Sequence, residues 1–447
     1  MLVLPDTPIL PLPVETRDQT YSEIAIKRQE LVVSKESKNE LIKFALKLEE
    51  YLEELFRFAV EQSNAKDLTE IIAHASSVTI FNSKKIPWSN IVSPSEGKLS
   101  IRKVHSSYSW TLLNEILAAI ISISTVYLKL GALTINNAIE GDPAALSNEE
   151  INEIWKQIIN RYKSSIAFSM FGSHITKKSD FENSNFHPSI FSLLQKIGDL
   201  NIQMSILIKS SWINRYDFSK EESFKTENNG TLSRVAIFIT DELKVCEGVI
   251  QNLSNEKKNL VLNFRNWTEY LGIFGKYVAA YAGMFLAIEN YQQKRLGHAI
   301  GLIEYSLVCL QSKGYDSAAG NKKLVSRLKG KVSARKNEHF IKDIQSVSTL
   351  RINNSAFTDA SGVLLEDLCI LFDQLVLLHL KFKKQNDNIY FDNVVGWQNI
   401  KEDSKWPIGS RVPMTGIQAF EPKALMLNSM GNHLATTSAN PDRGAYY

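Results

Sequence analysis

WTEYLGIFGKYVAAYAGMFLAIENYQQKRLGHAIGLIEYSLVCLQ, residues 267–311, is the stretch on which the reading of this chain turns. Trp267, Leu271, Phe274, Val278, Tyr281, Phe285 and Ile288 recur at four-then-three spacing, which stacks them on one face of a helix. After the polar run Gln292 to Arg295 the pattern restarts with Leu296, Ile300, Ile303, Leu307 and Leu310. Two helices of several turns joined by so short a connection lie antiparallel. Ala279, Ala280, Ala282, Gly283 and Ala287 cover much of the first helix outside its apolar stripe. Small side chains admit a neighbouring backbone closely, so the hairpin is predicted to pack on more than one side, as an inner unit of a helical stack does.

The same grammar runs outward along the chain. Pro5, Pro8, Pro11 and Pro13 prevent a helix in residues 1–20, leaving an extended segment either free or laid along the domain. Leu41, Ala45, Leu48, Leu52, Leu55 and Ala59 mark a helix over 39–62, with Glu49, Glu50, Glu53 and Glu54 on a face read as solvated. Residues 83–100 read as a loop and 107–137 as a long core helix broken by Gly141-Asp142-Pro143. Ser147 and Glu150 stand at reciprocal capping positions for a helix reaching about 172. Further helices are expected over 190–216 and 231–253, separated by a charged loop at 217–230, and over much of 340–384. Leu364, Leu368, Leu371, Leu375 and Leu378 share a face of the last. Beyond Trp406 the pattern is irregular, and 428–447 is polar. No strand-period alternation of any length is found. The prediction is an all-α fold: one elongated helical domain over 1–425 and a flexible tail over 426–447.

Bulk properties narrow the function. A net charge of +3 on 447 residues gives no global field for nucleic acid. Cys246, Cys309 and Cys369 are far apart in apolar helical patterns, which indicates buried free thiols rather than a disulfide frame. The most apolar region, 112–139, carries Glu115 and Lys129 too close together for a membrane span and reads as a core helix. There is no basic leader, prenylation box or myristoylation signal. The eight histidines never pair at metal-ligand spacing, and no Cys-x-x-Cys, Gly-x-Ser-x-Gly or complete phosphate loop occurs. Catalysis, cofactors and metals are therefore not expected. Lys322, Lys323, Arg327, Lys329, Lys331, Arg335 and Lys336 form a basic run without an acid. It fits peripheral contact with anionic membrane, at about 1 kcal/mol per basic residue, or an acidic partner segment, or a solvated helix and loop. Nucleic acid fits it less well, since aromatic interleaving is absent.

Gln292 to Ser306, QQKRLGHAIGLIEYS, resembles the tetratricopeptide-like hairpin of the Bro domain, the module of Alix and the fungal PalA-type pH-response proteins. Lys383 to Tyr390, KKQNDNIY, is similar to that family's Lys-Lys-x-Asn-Asp-x-Ile-Tyr. Ile86-Pro87-Trp88 resembles its aromatic-x-Trp element and Leu130-Gly131-Ala132-Leu133 its Asn-x-Gly-Ala-Leu element, in the same order. The resemblance implies a curved stack of helical hairpins that takes the C-terminal helix of an ESCRT-III subunit of the Snf/charged-multivesicular-body class on an apolar concave patch. It places Met204, Leu232, Val235, Lys156 and Leu378 in that patch, Leu378 one position off with His379 at the aligned place. It further implies a non-enzymatic cytoplasmic adaptor recruited to endosomes, serving multivesicular-body sorting or the fungal ambient-pH pathway. The alternative is a helical scaffold for an unrelated partner peptide. Asn393 and Val395 depart from the family's basic residue and proline, and neither a V-shaped domain nor a Pro-rich tail is recognised.

Overall fold

The computed structural model describes residues 1–14, 21–33, 37–65, 67–83, 85–93, 108–179, 185–216, 226–256, 259–310, 362–402 and 406–425. The basic run at 322–336, Cys369's side chain and the tail 426–447 lie outside them.

The helices are α1 (Ser22–Gln29), α2 (Lys38–Ser63), α3 (Leu68–Ser77), α4 (Leu112–Glu140), α5 (Asn148–Lys178) and α6 (Ser189–Ile213). They continue with α7 (Asn229–Ser254), α8 (Trp267–Gln292), α9 (Leu296–Cys309), α10 (Gly362–Gln385) and α11 (Trp397–Glu402). From α4 to α9 each packs chiefly on its neighbours in sequence, and α10 closes on α9. The expected hairpin of residues 267–311 is α8 and α9, and its small residues do the work assigned to them. A methyl on Gly283 would stand 2.1 Å from Ser306 Oγ and 3.1 Å from the Leu302 carbonyl, so only glycine permits this approach.

Helix ends follow local chemistry. Ser147 accepts from the Glu150 amide while Glu150 Oε2 accepts from the Ser147 amide at 2.8 Å, the reciprocal cap the sequence predicted. That helix runs on to Lys178, past the expected end, because its last turns bury Ile175 and Thr176. The long core helix begins later than expected. Tyr108–Thr111 is a strand, β3, paired antiparallel with β1 (Thr79–Ser83), and Thr111 Oγ1 caps α4. A second pair joins β2 (Ile91–Val92) to β4 (Val261–Leu262). Strands of two to five residues are too short to leave a period in the sequence, which is why none was found.

α4 touches α2, α3, α5, α6 and α10, so it is covered all round. α4 and α8 are both long and apolar enough to cross a membrane, and 94% of the most apolar window of α4 lies inside the fold. The glutamate within it is held by protein. Glu115 Oε1 accepts from Arg28 Nε and Tyr51 Oη, and Oε2 from Trp88 Nε1 and Trp110 Nε1, all at 2.8 Å. Arg28 also donates to the carbonyls of Leu12 and Pro87 and lies over the Phe81 and Trp88 rings.

The N-terminal segment lies along the domain, with Met1 to Leu4 buried between α6 and α8. Asn201 clasps the Leu2 backbone from both sides, Tyr270 Oη donates to the Met1 carbonyl, and Trp267 Nε1 donates to the Pro5 carbonyl. At the other end, residues 406–422 return across the stack in extended, irregular form before a turn of helix begins at Lys423. Ser410 bonds α7 at the Arg234 carbonyl, Val412 exchanges bonds with Gln203 of α6, and the Thr415 carbonyl accepts from Lys163 of α5. Phe420 packs on Phe168 at 4.4 Å between ring centres, and the Lys423 amide reaches Glu53 of α2.

The acidic face of α2 is thereby corrected. Glu53 holds the returning chain, Glu54 pairs with Lys27, and Glu49 accepts from Tyr127 Oη. Burial raises the Glu49 carboxyl above its ordinary range, against the lowering effect of that hydrogen bond. Glu50 alone of the four is exposed rather than half-buried.

Candidate partner-binding surface

The element most distinctive in sequence, KKQNDNIY, proves to be a joint. α10 unwinds into a single π-turn over Asn386–Tyr390, and Phe391 takes a left-handed conformation at φ 57°. The Asn386 side chain bridges the turn, donating to the Asp392 carbonyl at 3.0 Å and accepting from the Asp392 amide at 2.9 Å. Asp392 Oδ2 then accepts from the first amide of α9, Leu296, at 2.9 Å. A carboxylate there satisfies an orphan N–H and complements the helix dipole. Val395, where the resemblance expected proline, donates its N–H to the Gly297 carbonyl at 3.2 Å, which proline could not do. Gly297 and Gly301 admit this segment: methyls on them would stand 2.1 and 2.2 Å from the carbonyl oxygens of Asn393 and Val395. The two other elements are also ties. Trp88 serves the Glu115 cluster, and Gly131 leaves room on α4 for the Tyr162 ring, which a methyl there would meet at 2.5 Å.

The five residues assigned to a patch are not brought together on a surface. Met204, Val235 and Leu378 are 0%, 1% and 0% exposed, and each is core. α6 and α7 each have helices on both flanks, so apolar side chains turned towards those neighbours are sealed between them. His379, beside Leu378, is buried against Glu304 at 3.2 Å. Lys156 is exposed on α5, paired with Glu153, two turns from Lys163 on the side crossed by the returning chain. Leu232 is part-exposed but stands about 160° round α7 from Arg234, whose carbonyl holds that chain. The two therefore do not share a face.

What the sequence reading missed is the outer side of α10. Leu377 and Leu380, one turn apart, are 42% and 48% exposed, and beyond them Ile389 and Phe391 are 64% and 73% exposed. Leu378 points inwards between the first two. The signal was present, since leucines at 377, 378 and 380 cannot all fit one stripe, but the buried stripe absorbed the whole reading.

Reactive groups are muted. Burial pushes the Cys246 thiol up to about 12, so it stays protonated and a poor nucleophile. Asp367, buried against Tyr277 and Tyr281, which both donate to Oδ2, has its carboxyl raised by burial. Among the described residues no group of three His, Cys, Asp or Glu side chains has the geometry to hold a metal.

No curated protein matches the chain. Solved structures are similar to it, among them the following three. "Structure basis for endosomal targeting by the Bro1 domain" is 11% identical, with a TM-score of 0.43, covering 94% of this chain and 87% of that one. "ALIX BRO1 CHMP4C complex" is 13% identical, TM-score 0.48, covering 94% and 95%. "Crystal Structure of ALIX in complex with the SIVmac239 PYKEVTEDL Late Domain" is 14% identical, TM-score 0.47, covering 94% and 48%. The profile of a family of unknown function, DUF5355, matches residues 110–447, about three quarters of the length, and the chain belongs to that family.

Proposed function

We propose that this chain is a non-enzymatic adaptor of the Bro type that takes the amphipathic C-terminal helix of an ESCRT-III subunit. The observation that carries the docking is the exposed apolar row on α10 and the turn after it: Leu377, Leu380, Ile389 and Phe391. Apolar side chains so placed on a rigid helix mark a surface for another apolar face, and a partner helix supplies one at matching spacing. The identity of the partner rests on the sequence resemblance alone. Sorting at endosomes from the cytoplasm is the role it supports, with fungal ambient-pH signalling as the related pathway. Lys156 and Leu232 remain accessible but on different faces, so at most one of them is a further contact of the same helix; Met204, Val235 and Leu378 act only by holding the helices that present the surface.

The test is a titration of the full chain against a labelled peptide of that ESCRT-III helix, read by fluorescence anisotropy. Saturable binding is expected, weakened tenfold or more by Leu377→Asp or Leu380→Asp and less by at most one of Lys156→Glu and Leu232→Asp. Wild type that does not bind rejects the partner. Binding unchanged by all four substitutions rejects the surface.

A further inference from the structure

A cavity of about 730 Å³ opens where α7 begins, α8 ends and α9 starts, walled on its remaining side by α11 and the base of the returning chain. Its size is that of a small-molecule site. Arg234, Arg295 and His298 line it, and among the described residues none of these side chains has a hydrogen-bond or ion-pair partner in the protein. What sets these three apart from single unpaired side chains elsewhere on the surface is that they converge on one cavity, whereas Lys156, Lys244 and Arg57 pair with local carboxylates. The one carboxylate on the wall, Glu289, lies against Gly230 at the first turn of α7. Two guanidiniums against one carboxylate leave the wall net positive. The lining also has an apolar part: Leu302 and Ile400 are buried, and the Trp406 ring is fixed by its Nε1 donating to the Ile400 carbonyl at 2.9 Å and by contact with Tyr305.

We propose that this cavity binds a phosphate ester. The phosphoryl oxygens meet Arg234, Arg295 and a ring N–H of His298, and the organic body lies against Trp406, Ile400 and Leu302. Guanidiniums suit this role because their paired N–H groups match phosphoryl oxygens and keep their charge at every working pH. A fixed indole beside them favours an ester with a flat or apolar body over bare phosphate. The ester is either a soluble metabolite or the headgroup of a phosphorylated lipid, since both present the same chemistry. The proposal does not depend on the adaptor reading, because the cavity shares no residue with the α10 row.

The full chain is titrated calorimetrically with phenyl phosphate and with inorganic phosphate, and floated with vesicles carrying phosphatidylinositol phosphate or phosphatidylserine. Phenyl phosphate should bind saturably and about tenfold tighter than inorganic phosphate, one decade being about 1.4 kcal/mol. Arg234→Ala and Arg295→Ala should each weaken it tenfold or more. Trp406→Ala should erase the preference for the phenyl ester, and Glu289→Gln should tighten both ligands. Vesicle capture that is lost in the arginine variants assigns the lipid source; phenyl phosphate binding without capture assigns the soluble one. No saturable binding by wild type, or binding unchanged in both arginine variants with unaltered melting curves, overturns the proposal.

Discussion

Replacing Glu115 by glutamine tests the packing logic at its centre. The carboxylate is fully buried and accepts four hydrogen bonds, two on each oxygen. Glutamine keeps the shape and one oxygen, which can serve only one of the two donor pairs. The other pair, Arg28 with Tyr51 or Trp88 with Trp110, then faces an NH₂ group. Each stranded donor costs about 1–3 kcal/mol, and removing one member of a buried ion pair costs about 3–5 kcal/mol in all. These overlap, so a loss of about 4 kcal/mol is expected. For a chain of 447 residues unfolding as one unit, with about 2.1 cal/mol/K of entropy per residue, that lowers the melting midpoint by about 4 °C. Urea unfolding followed by tryptophan fluorescence measures it, because Trp88 and Trp110 lose their acceptor. Hydrogen exchange should rise first in residues 1–14 and 21–33, which the cluster pins through Leu12 and Arg28. The double variant Arg28→Met, Glu115→Gln should lose clearly less than the sum of its parts, since no buried charge is left alone. A Glu115→Gln protein within about 0.5 kcal/mol of wild type, the scatter of neutral surface changes, would refute the argument.

Four further outcomes are expected. Asn386→Ala removes both side-chain bonds to Asp392 while keeping the backbone bond from Phe391, and should cost about 1–2 kcal/mol, with faster hydrogen exchange at the Leu296 and Gly297 amides that Asp392 caps. Gly301→Ala drives a methyl to 2.2 Å from the Val395 carbonyl and should destabilise by about 1–3 kcal/mol, measured by urea midpoint. Asp367 has a folded-state pKa raised above 3.8 by burial, so its contribution is present in full below 3.8 and is lost as pH rises through the folded value. Asp367→Asn keeps an acceptor for Tyr277 and Tyr281, so its stability relative to wild type should climb as pH rises above 3.8 through the folded value; a difference curve flat with pH contradicts this. Met204→Ala opens a core cavity and should cost about 2–5 kcal/mol while leaving the affinity of the folded fraction for the ESCRT-III peptide unchanged, a separation that calorimetry of both processes can read.

The helices were legible because burial on one face writes a period, and α8 and α9 show how far that goes: their limits match the expected ones to within a residue or two. The short strands and α1 left no period to read. The site failed for a reason built into the same signal. A helix with neighbours on both flanks buries more than one stripe, so periodicity marks Met204 and Val235 as apolar without saying whether protein or a partner covers them. Exposure is set by which helices flank the position, and that is a property of the stack rather than of the stretch. Glu115 shows the converse. In sequence it was an interruption that ruled out a membrane span; in the fold it gathers donors from α1, α2, the 86–88 loop and β3, four places no local window joins. The elements that carried the family resemblance follow the same rule. Trp88 and Gly131 join separate segments, and Asn386 shapes the local turn that carries Asp392 to the start of α9, so what they specify is the architecture. A partner is specified by what the architecture leaves uncovered: on α10 the extra leucines at 377 and 380 betray it by breaking the buried stripe, whereas the arginine-lined cavity gathers residues from separate helices and so leaves no local period at all.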